Sequence, residues 1–266
     1  RRGGADRGWC RSWRDRMSDA ALHRLGGEGP DVLLIHGFGA DRLSWLALAP
    51  QLFPFATVWA GEFGGHGAAG NDVGKGTLTD LAAALEAEIA GRLAKPLVVG
   101  HSLGGAVGLV LAARGAVNPT GLLLLAPVGI GDDLDNAFID QLPELVDGEA
   151  ALALLQQLVV RKVLITRRMA DAFVETLADE TRRAALRTIA ASLKSDAVQV
   201  LFPPACPCTV MWGASDAIVP PPNVPTKGLR MLPNVGHLPH VEAVSEVASA
   251  VEELLDGAFP PSDAWI

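Results

Sequence analysis

The residue that points most directly to chemistry is Ser102, at the centre of the pentapeptide GHSLG at 100–104. Apolar runs on both sides predict a strand before the serine and a helix after it. A strand, a tight turn and a helix expose a serine hydroxyl above the edge of a sheet, and Gly100 and Gly104 leave room for that turn. The pattern predicts a nucleophilic serine. The alternative is a serine that only completes a structural turn.

A nucleophilic serine needs a base to take its proton and an acid to orient that base. His237 is the predicted base, because it follows a predicted strand across a short loop. Asp216 is the predicted acid, because it lies in a tight loop just past another strand and nearer to His237 than its rivals, Asp132 and Asp133. The alternative for Asp216 is a turn residue that accepts hydrogen bonds from local amides.

Three further histidines are assigned no such role. His101 adjoins the serine, but neighbouring residues on a sharp turn point in different directions. His240 lies close enough to His237 in the chain to form a metal pair, but no further ligands accompany the two, so we expect neither a metal nor a cofactor. His23 has no supporting context and is predicted to be a surface residue.

Acyl transfer also requires N–H donors placed in advance for the oxyanion of the tetrahedral intermediate. We expect one from Leu103, after the serine at a helix N-terminus, and one from Phe38 in the loop HGFG at 36–39. That loop lacks the lysine and the full glycine spacing of nucleotide-binding loops. The residues expected to shape the site around these donors are His36, Gly37, Gly39, Gly100, His101 and Gly104.

Short apolar strands and helices alternate along the chain to position these groups. Strands are predicted at 32–35, 57–60, 97–99, 122–125, 209–212 and 228–232, and helices at 44–52, 78–93, 103–114 and 241–255. Ser44 is the expected N-cap of the first helix, and Thr77 with Asp80 resembles a capping box. Nearly continuous apolar strands indicate an α/β protein whose central sheet is mostly parallel, with helices on both faces.

A different pattern occupies residues 132–201, where no convincing strand is found. Amphipathic helices are predicted there at 134–146, 149–160, 168–177 and 180–193. We expect an all-helical cap at 132–201 over a core made of 17–131 and 202–266, roofing the strand ends where ligands bind in such sheets. The alternative is a helical subdomain that only stabilises the fold.

Composition limits the classes of partner. The chain has 266 residues, a formal charge of −8 and a pI near 5.2, which argues against nucleic acid or an anionic membrane as the main partner. No apolar stretch approaches the roughly 18 residues that span a bilayer. The three cysteines form no disulfide framework, so we expect reduced thiols and a cytoplasmic protein.

Residues 1–16 differ from the rest of the chain, with six arginines and two aspartates. We expect a disordered basic extension or an upstream leader, with Met17 as a natural start; a functional basic arm is the alternative.

Four separated motifs together resemble the α/β-hydrolase superfamily. They are the loop at 36–39, the sequence GGHG at 64–67, the pentapeptide around Ser102, and the pair Asp216 and His237 in the order serine, aspartate, histidine. The resemblance covers about 22–255 and implies the α/β-hydrolase fold. The first strand of the family's sheet is not evident, because only 21–25 precede the strand at 32–35, so we expect the sheet to be one strand short.

Within the superfamily, the sequences APVGIG at 126–131 and NAFID at 136–140 resemble the hydrolase-type domain of acetyltransferase components of acetoin-cleaving complexes. Haloalkane dehalogenases and epoxide hydrolases are similar in fold but use aspartate where this chain has Ser102. The C–C hydrolases of aromatic-ring degradation are similar too, but Leu238 stands where they usually have an aromatic residue, and the loop at 36–39 lacks their Gly-Pro-Gly.

We therefore expect a serine carboxylesterase that cleaves small-molecule esters of small to medium apolar acyl groups through an acyl-enzyme. The enzymatic alternatives are a C–C bond hydrolase or an acyltransferase with the same triad. A different class is a binding protein of this fold with slow turnover or none. No nucleic-acid or membrane partner is expected, and no oligomeric state is assigned.

Overall fold

The protein is built around one sheet. The structure, a computed structural model, describes residues 20–130, 134–194, 204, 206–222 and 229–257. These residues form seven strands in the order β1-β3-β2-β4-β5-β6-β7. All neighbouring strands are parallel except β1, which is antiparallel to β3. The strands are β1 (Ala21–Gly26), β2 (Asp31–Ile35), β3 (Thr57–Glu62), β4 (Leu97–His101), β5 (Gly121–Leu125), β6 (Cys208–Gly213) and β7 (Leu229–Leu232).

Helices cover both faces of this sheet, because its central strands are apolar on both sides. Leu33, Val98 and Leu122 pack on one face against α2 (Leu78–Ile89) and α3 (Leu103–Arg114). On the other face, alternate residues of the same strands pack against α1 (Ala49–Leu52) and α9 (Val244–Leu255). The predicted fold class is confirmed.

The antiparallel strand β1 is the main difference from the prediction, since no strand was evident ahead of β2. Residues Ala21–Gly26 lie at the edge of the sheet, and each is partly or fully exposed. An edge strand of this kind has no continuous apolar run, which is why its sequence pattern is weak.

Two helix starts test the capping predictions. The Thr77–Asp80 capping box is confirmed, because the Thr77 side chain accepts from the Asp80 amide and the Asp80 carboxylate accepts from the Thr77 amide. Ser44 is not an N-cap. Asp41 caps a short 3₁₀ helix, Arg42–Trp45, by accepting the Leu43 amide at 2.7 Å, and α1 begins only at Ala49.

The predicted all-helical segment lies between β5 and β6. Aspartate or threonine side chains cap each helix start. The first two helices are shorter than predicted because 3₁₀ turns follow them, whereas the third has its predicted length and the fourth its predicted bounds. The helices are α4 (Asn136–Gln141), α5 (Gly148–Leu155), α6 (Arg167–Thr176) and α7 (Glu180–Leu193), with 3₁₀ segments at Leu142–Glu144, Gln156–Leu158 and Lys162–Leu164. We call residues 134–194 the helical insert. The last predicted helix is divided into α8 (Pro239–Glu242) and α9.

Some predictions fall outside the described residues. These are the basic extension at 1–16, the rival acids Asp132 and Asp133, and the cap boundaries at 132 and 201. In the ranges that the structure does describe, no helix has both the length and the apolar character needed to cross a membrane.

Candidate active site

Ser102 occupies a strained turn between β4 and α3. Its backbone has φ 51° and ψ −115°, a left-handed conformation that costs a non-glycine residue about 1–3 kcal/mol. A side chain at Gly100 would place Cβ 2.5 Å from the carbonyl oxygen of Gly104, and one at Gly104 would collide with the carbonyl groups of Ile35 and His36. The two glycines therefore permit the turn for the steric reason that the sequence suggested.

His237 and Asp216 form a buried pair. His237 Nδ1 donates to Asp216 Oδ2 at 2.7 Å, which leaves the lone pair of the neutral ring on Nε2. The other carboxylate oxygen, Oδ1, accepts the amides of Ile218 and Val219 at 2.9 and 3.0 Å, and Oδ2 also accepts Trp212 Nε1 at 3.2 Å. Asp216 thus accepts hydrogen bonds from local amides and also from the imidazole of His237.

The turn after β4 and the His237 loop are in direct contact. His101 Nε2 donates to the carbonyl oxygen of His237 at 2.7 Å, and the two imidazole rings lie 4.8 Å apart. His101 is therefore a support for the His237 backbone. Among the described residues, Ser102 Oγ has no hydrogen-bond partner. The structure joins His237 to Asp216 and places Ser102 next to His101, without closing a bond from Ser102 to His237.

The loop at 36–39 packs directly on the serine turn. A Cβ at Gly37 would lie 2.7 Å from His101 Nδ1 and 3.3 Å from Ser102 Cβ, so only glycine fits there. The Gly39 amide donates to His66 Nε2 at 3.0 Å. Within the described part of the chain, the amides of Phe38 and Leu103 have no protein acceptor, so both are available to a ligand.

His66 supports the loop at 36–39, a contact that the sequence did not reveal although its motif was recognised. Its Nδ1 donates to the Gly64 carbonyl oxygen at 2.9 Å, so its Nε2 is the acceptor for Gly39. Burial, together with the nearby His36, lowers the pKa of His66 to about 3. A neutral ring is the form that accepts a hydrogen bond, and His66 therefore holds the loop that carries Phe38.

The other buried histidines near the site are also neutral. Burial lowers the pKa of His36, whose Nδ1 donates to the Gly37 carbonyl oxygen at 2.9 Å, and it lowers the pKa of His101 further. Burial also lowers the pKa of His240 to about 3. The ring of His240 lies tilted against Trp45 and His101, with ring centres 4.4 and 4.6 Å apart, and neither nitrogen has a hydrogen-bond partner among the described residues.

A metal pair of His237 and His240 receives no further ligand. In the described ranges, no group of three histidine, cysteine, aspartate or glutamate side chains is arranged to hold a metal ion. Cys206 and Cys208 have free thiols, and burial raises the pKa of both.

Glu62, at the end of β3, is a second residue that the sequence did not reveal. Its fully buried carboxylate accepts the amides of Ala68 and Arg42 at 2.8 and 3.0 Å, the Arg42 guanidinium at 3.1 Å and His23 Nε2 at 2.9 Å. Burial opposes ionisation, but these hydrogen bonds outweigh it and lower the pKa of Glu62. His23, predicted to be a surface residue, has a side chain that is 29% exposed and that also contacts Glu62. A carboxylate at a strand end just before GGHG was the available signal.

The helical insert covers the loops at the carboxyl ends of the strands. Gly39 faces the side chains of Leu142 and Phe173, and Arg182 Nη2 donates to the Gly67 carbonyl oxygen at 2.8 Å. The Leu158 carbonyl oxygen accepts the His237 amide at 2.8 Å. The insert therefore touches the loop of the expected oxyanion donor, the GGHG loop and the His237 loop.

Known proteins resemble this chain over most of its length. A model of the alpha/beta hydrolase family matches residues 32–250. The dihydrolipoyllysine-residue acetyltransferase component of the acetoin cleaving system of Pseudomonas putida is 30% identical over 234 residues, which are 84% of this chain and 63% of that protein. This chain therefore spans less than two thirds of that relative, and the predicted resemblance to it is confirmed.

Two further proteins are similar. Lipase 1 of Psychrobacter immobilis is 25% identical over 254 residues, covering 88% of this chain and 78% of the lipase. A meta-cleavage product hydrolase from Pseudomonas fluorescens superposes with a TM-score of 0.73 at 20% identity, covering 91% of this chain and 97% of that one, and it shows the same fold. From the family match and the shared architecture, we conclude that the chain belongs to the alpha/beta hydrolase family.

Proposed function

We propose that this protein is a serine hydrolase in which Ser102 is the nucleophile, His237 the base and Asp216 the residue that orients the base. The buried 2.7 Å hydrogen bond between His237 Nδ1 and Asp216 Oδ2 is the observation that carries the proposal. It fixes the tautomer whose Nε2 accepts a proton, in a loop that His101, the neighbour of Ser102, supports directly.

The reaction follows from these groups. Ser102 Oγ attacks the ester carbonyl carbon while its proton passes to His237 Nε2, and the carbonyl electron pair moves onto oxygen. The amides of Phe38 and Leu103 hold this oxyanion. Collapse of the intermediate breaks the ester C–O bond, and His237 returns the proton to the leaving alcohol. Water, deprotonated by His237, then releases the acid from Ser102 in the same way.

We infer that the substrates are small-molecule esters with small to medium apolar acyl groups. Phe38, Leu142 and Phe173 belong to one apolar cluster that includes residues of both the insert and the sheet face. Apolar side chains beside the expected oxyanion donor favour apolar acyl chains over charged ones. The similarity to a lipase supports ester cleavage. The free thiols of Cys206 and Cys208 support a cytoplasmic location.

Acyl transfer is a second candidate, favoured by the similarity to an acetyltransferase component. The same acyl-enzyme would then be attacked by a thiol in place of water. A C–C hydrolase has less support, because the likeness to a meta-cleavage product hydrolase extends to the fold alone. A binding protein without turnover is the remaining alternative.

The first test is hydrolysis of p-nitrophenyl esters from acetyl to long acyl chains, by the unmodified protein and by Ser102→Ala, with EDTA present. We expect release of p-nitrophenol that rises and then falls with chain length, and a loss of roughly 10⁴-fold or more in kcat for Ser102→Ala. Equal rates in the two proteins would overturn the assignment of Ser102.

Adding a thiol acceptor to the same assay separates hydrolysis from acyl transfer. A rise in thioester product at constant total turnover supports transfer, and formation of the free acid alone supports an esterase. A folded protein that cleaves no ester would direct attention to C–C substrates or to ligand binding.

A further inference from the structure

Glu242, at the end of α8, joins two parts of the molecule through a buried carboxylate. Its side chain has no exposed surface. Oε2 accepts the amides of Gly236 and Val160 at 2.7 and 3.2 Å, and Oε1 accepts the amide of Arg161 at 2.9 Å. Gly236 immediately precedes His237, whereas Val160 and Arg161 belong to the helical insert. One carboxylate therefore binds the backbone of the base loop and the backbone of the insert.

Neighbouring contacts hold the same two segments together. The His237 amide donates to the Leu158 carbonyl oxygen at 2.8 Å. A Cβ at Gly236 would lie 2.8 Å from that carbonyl oxygen and 3.1 Å from Val159 Cα, so the segments touch backbone to backbone. Arg161 Nη2 also donates to the carbonyl oxygen of Glu242 at 2.5 Å. Residues 158–161 therefore lie directly against the loop that carries His237.

The chemistry of this contact requires a carboxylate. Hydrogen bonds from N–H groups to a charged oxygen are stronger than bonds between neutral groups. Both oxygens of Glu242 act as acceptors, so a glutamine at 242 would turn an NH₂ group toward at least one N–H donor. That donor would lose its partner in a buried site, where an unsatisfied amide is costly.

We propose that Glu242 is a positioning residue for His237, and that it acts by docking residues 158–161 of the insert onto the base loop. The proposal rests on the proposed function for its kinetic effect. Glu242 touches neither Ser102 nor the predicted oxyanion donors; its effect reaches the reaction through the placement of the imidazole.

The decisive variant is Glu242→Gln in the full chain. We expect kcat on the preferred p-nitrophenyl ester to fall roughly 10- to 100-fold, because small displacements of a catalytic group have effects of this size. KM should stay within about threefold, because substrate contacts are not altered. The low-field proton resonance of the His237 Nδ1–H bound to Asp216 should shift or broaden, which reports the geometry of the base without any turnover.

Three variants serve as controls. Glu62→Gln alters an equally buried carboxylate that also accepts backbone amides, but on the GGHG side; it should leave the His237 resonance in place. Arg161→Ala removes the guanidinium bond to the Glu242 carbonyl oxygen but keeps the backbone amide bound to Oε1, so its kcat should fall less than that of Glu242→Gln. Glu242→Asp keeps the charge with a shorter reach and should give an intermediate kcat, which keeps the test informative if Glu242→Gln does not fold.

Two results would overturn the proposal. One is a Glu242→Gln protein with an unchanged His237 resonance and a kcat within twofold. The other is an identical change of that resonance in Glu62→Gln, which would indicate general destabilisation. If the unmodified protein cleaves no ester, the proposed function fails, while the resonances of the Glu242 and Glu62 variants still decide whether Glu242 positions His237.

Discussion

The two sides of the candidate site are held by different forces. On the serine side, Gly37, Gly100 and Gly104 bring backbone segments so close that a single added carbon would collide with a neighbour. On the base side, His237 is held by hydrogen bonds from three separate parts of the chain: Asp216, His101 and Leu158. The serine side is therefore held by close steric contact, and the base side by hydrogen bonds.

In this comparison, the largest loss of activity should come from a substitution on the base side, at Asp216. Asp216→Asn replaces an acceptor of the His237 Nδ1 proton with an amide that favours the wrong tautomer. We expect kcat on p-nitrophenyl esters to fall by roughly 10³- to 10⁴-fold with little change in KM. Near-UV circular dichroism checks that the fold is retained.

Asp133→Asn is the matched control, because Asp133 is the rival acid from the sequence. It should retain most of the activity. If Asp133→Asn lost its activity while Asp216→Asn kept it, the assignment of Asp216 as the residue that orients His237 would be wrong.

A smaller effect should come from the steric side. Gly37→Ala adds a Cβ 2.7 Å from His101 Nδ1, within the buried contact between the loop and the serine turn. Overpacking of this kind costs about 1–3 kcal/mol of unfolding free energy, and the displaced loop should lower kcat roughly 10- to 100-fold. Urea unfolding and ester kinetics measure the two effects.

Gly108→Ala provides the comparison, because it adds the same carbon in the middle of α3, where it would meet the Val98 side chain, with Cγ1 at 3.3 Å. That variant should change neither stability by more than about 1 kcal/mol nor kcat by more than about twofold. Equal losses in the two variants would mean that the close approach at Gly37 has no special role.

The same division explains what the sequence could predict. The serine turn, the loop at 36–39 and the central strands follow from local patterns, because glycine spacing and apolar runs act on neighbouring residues. The Asp216–His237 pair could be proposed from its place after two strands. Glu62 was marked only by its place at a strand end before GGHG, and Glu242 by no local pattern, because the partners of both carboxylates lie on other segments of the chain. Edge strand β1 was missed because half-exposed residues give a weak apolar signal.

The smallest expected effect is on the pH dependence of the unfolding free energy. It involves one buried histidine on each side of the site, His66 on the serine side and His240 on the base side. His66 and His240 have a pKa of about 3 in the folded chain and about 6.5 when unfolded. Between these values the unfolded chain binds protons that the folded chain does not, so the free energy of unfolding falls as the pH decreases below about 6.5. Each histidine contributes a slope of up to about 1.4 kcal/mol per pH unit.

His240→Leu should remove the contribution of one histidine to this slope. The unfolding free energy measured in urea should then decline less steeply between pH 6 and pH 4.5. Because neither nitrogen of His240 has a hydrogen-bond partner in the described part of the chain, this variant should lose little stability at pH 7. His66→Leu should also flatten the slope, but it should lose about 1–3 kcal/mol at pH 7, since the Gly39 amide loses its acceptor. Identical behaviour of the two variants at pH 7 would contradict this distinction.

The place of the insert between β5 and β6 has a consequence for biosynthesis. The loop at 36–39 and Ser102 follow strands β2 and β4, which are synthesised before the insert, whereas Asp216 and His237 follow strands that are synthesised after it. Strand β6 pairs with β5 in the sheet. This pairing can form only after the whole insert, which connects the two strands, has left the ribosome. A growing chain therefore carries its serine without a base until the final strands are in place. Under the proposed mechanism, the unfinished protein is chemically silent toward the esters around it.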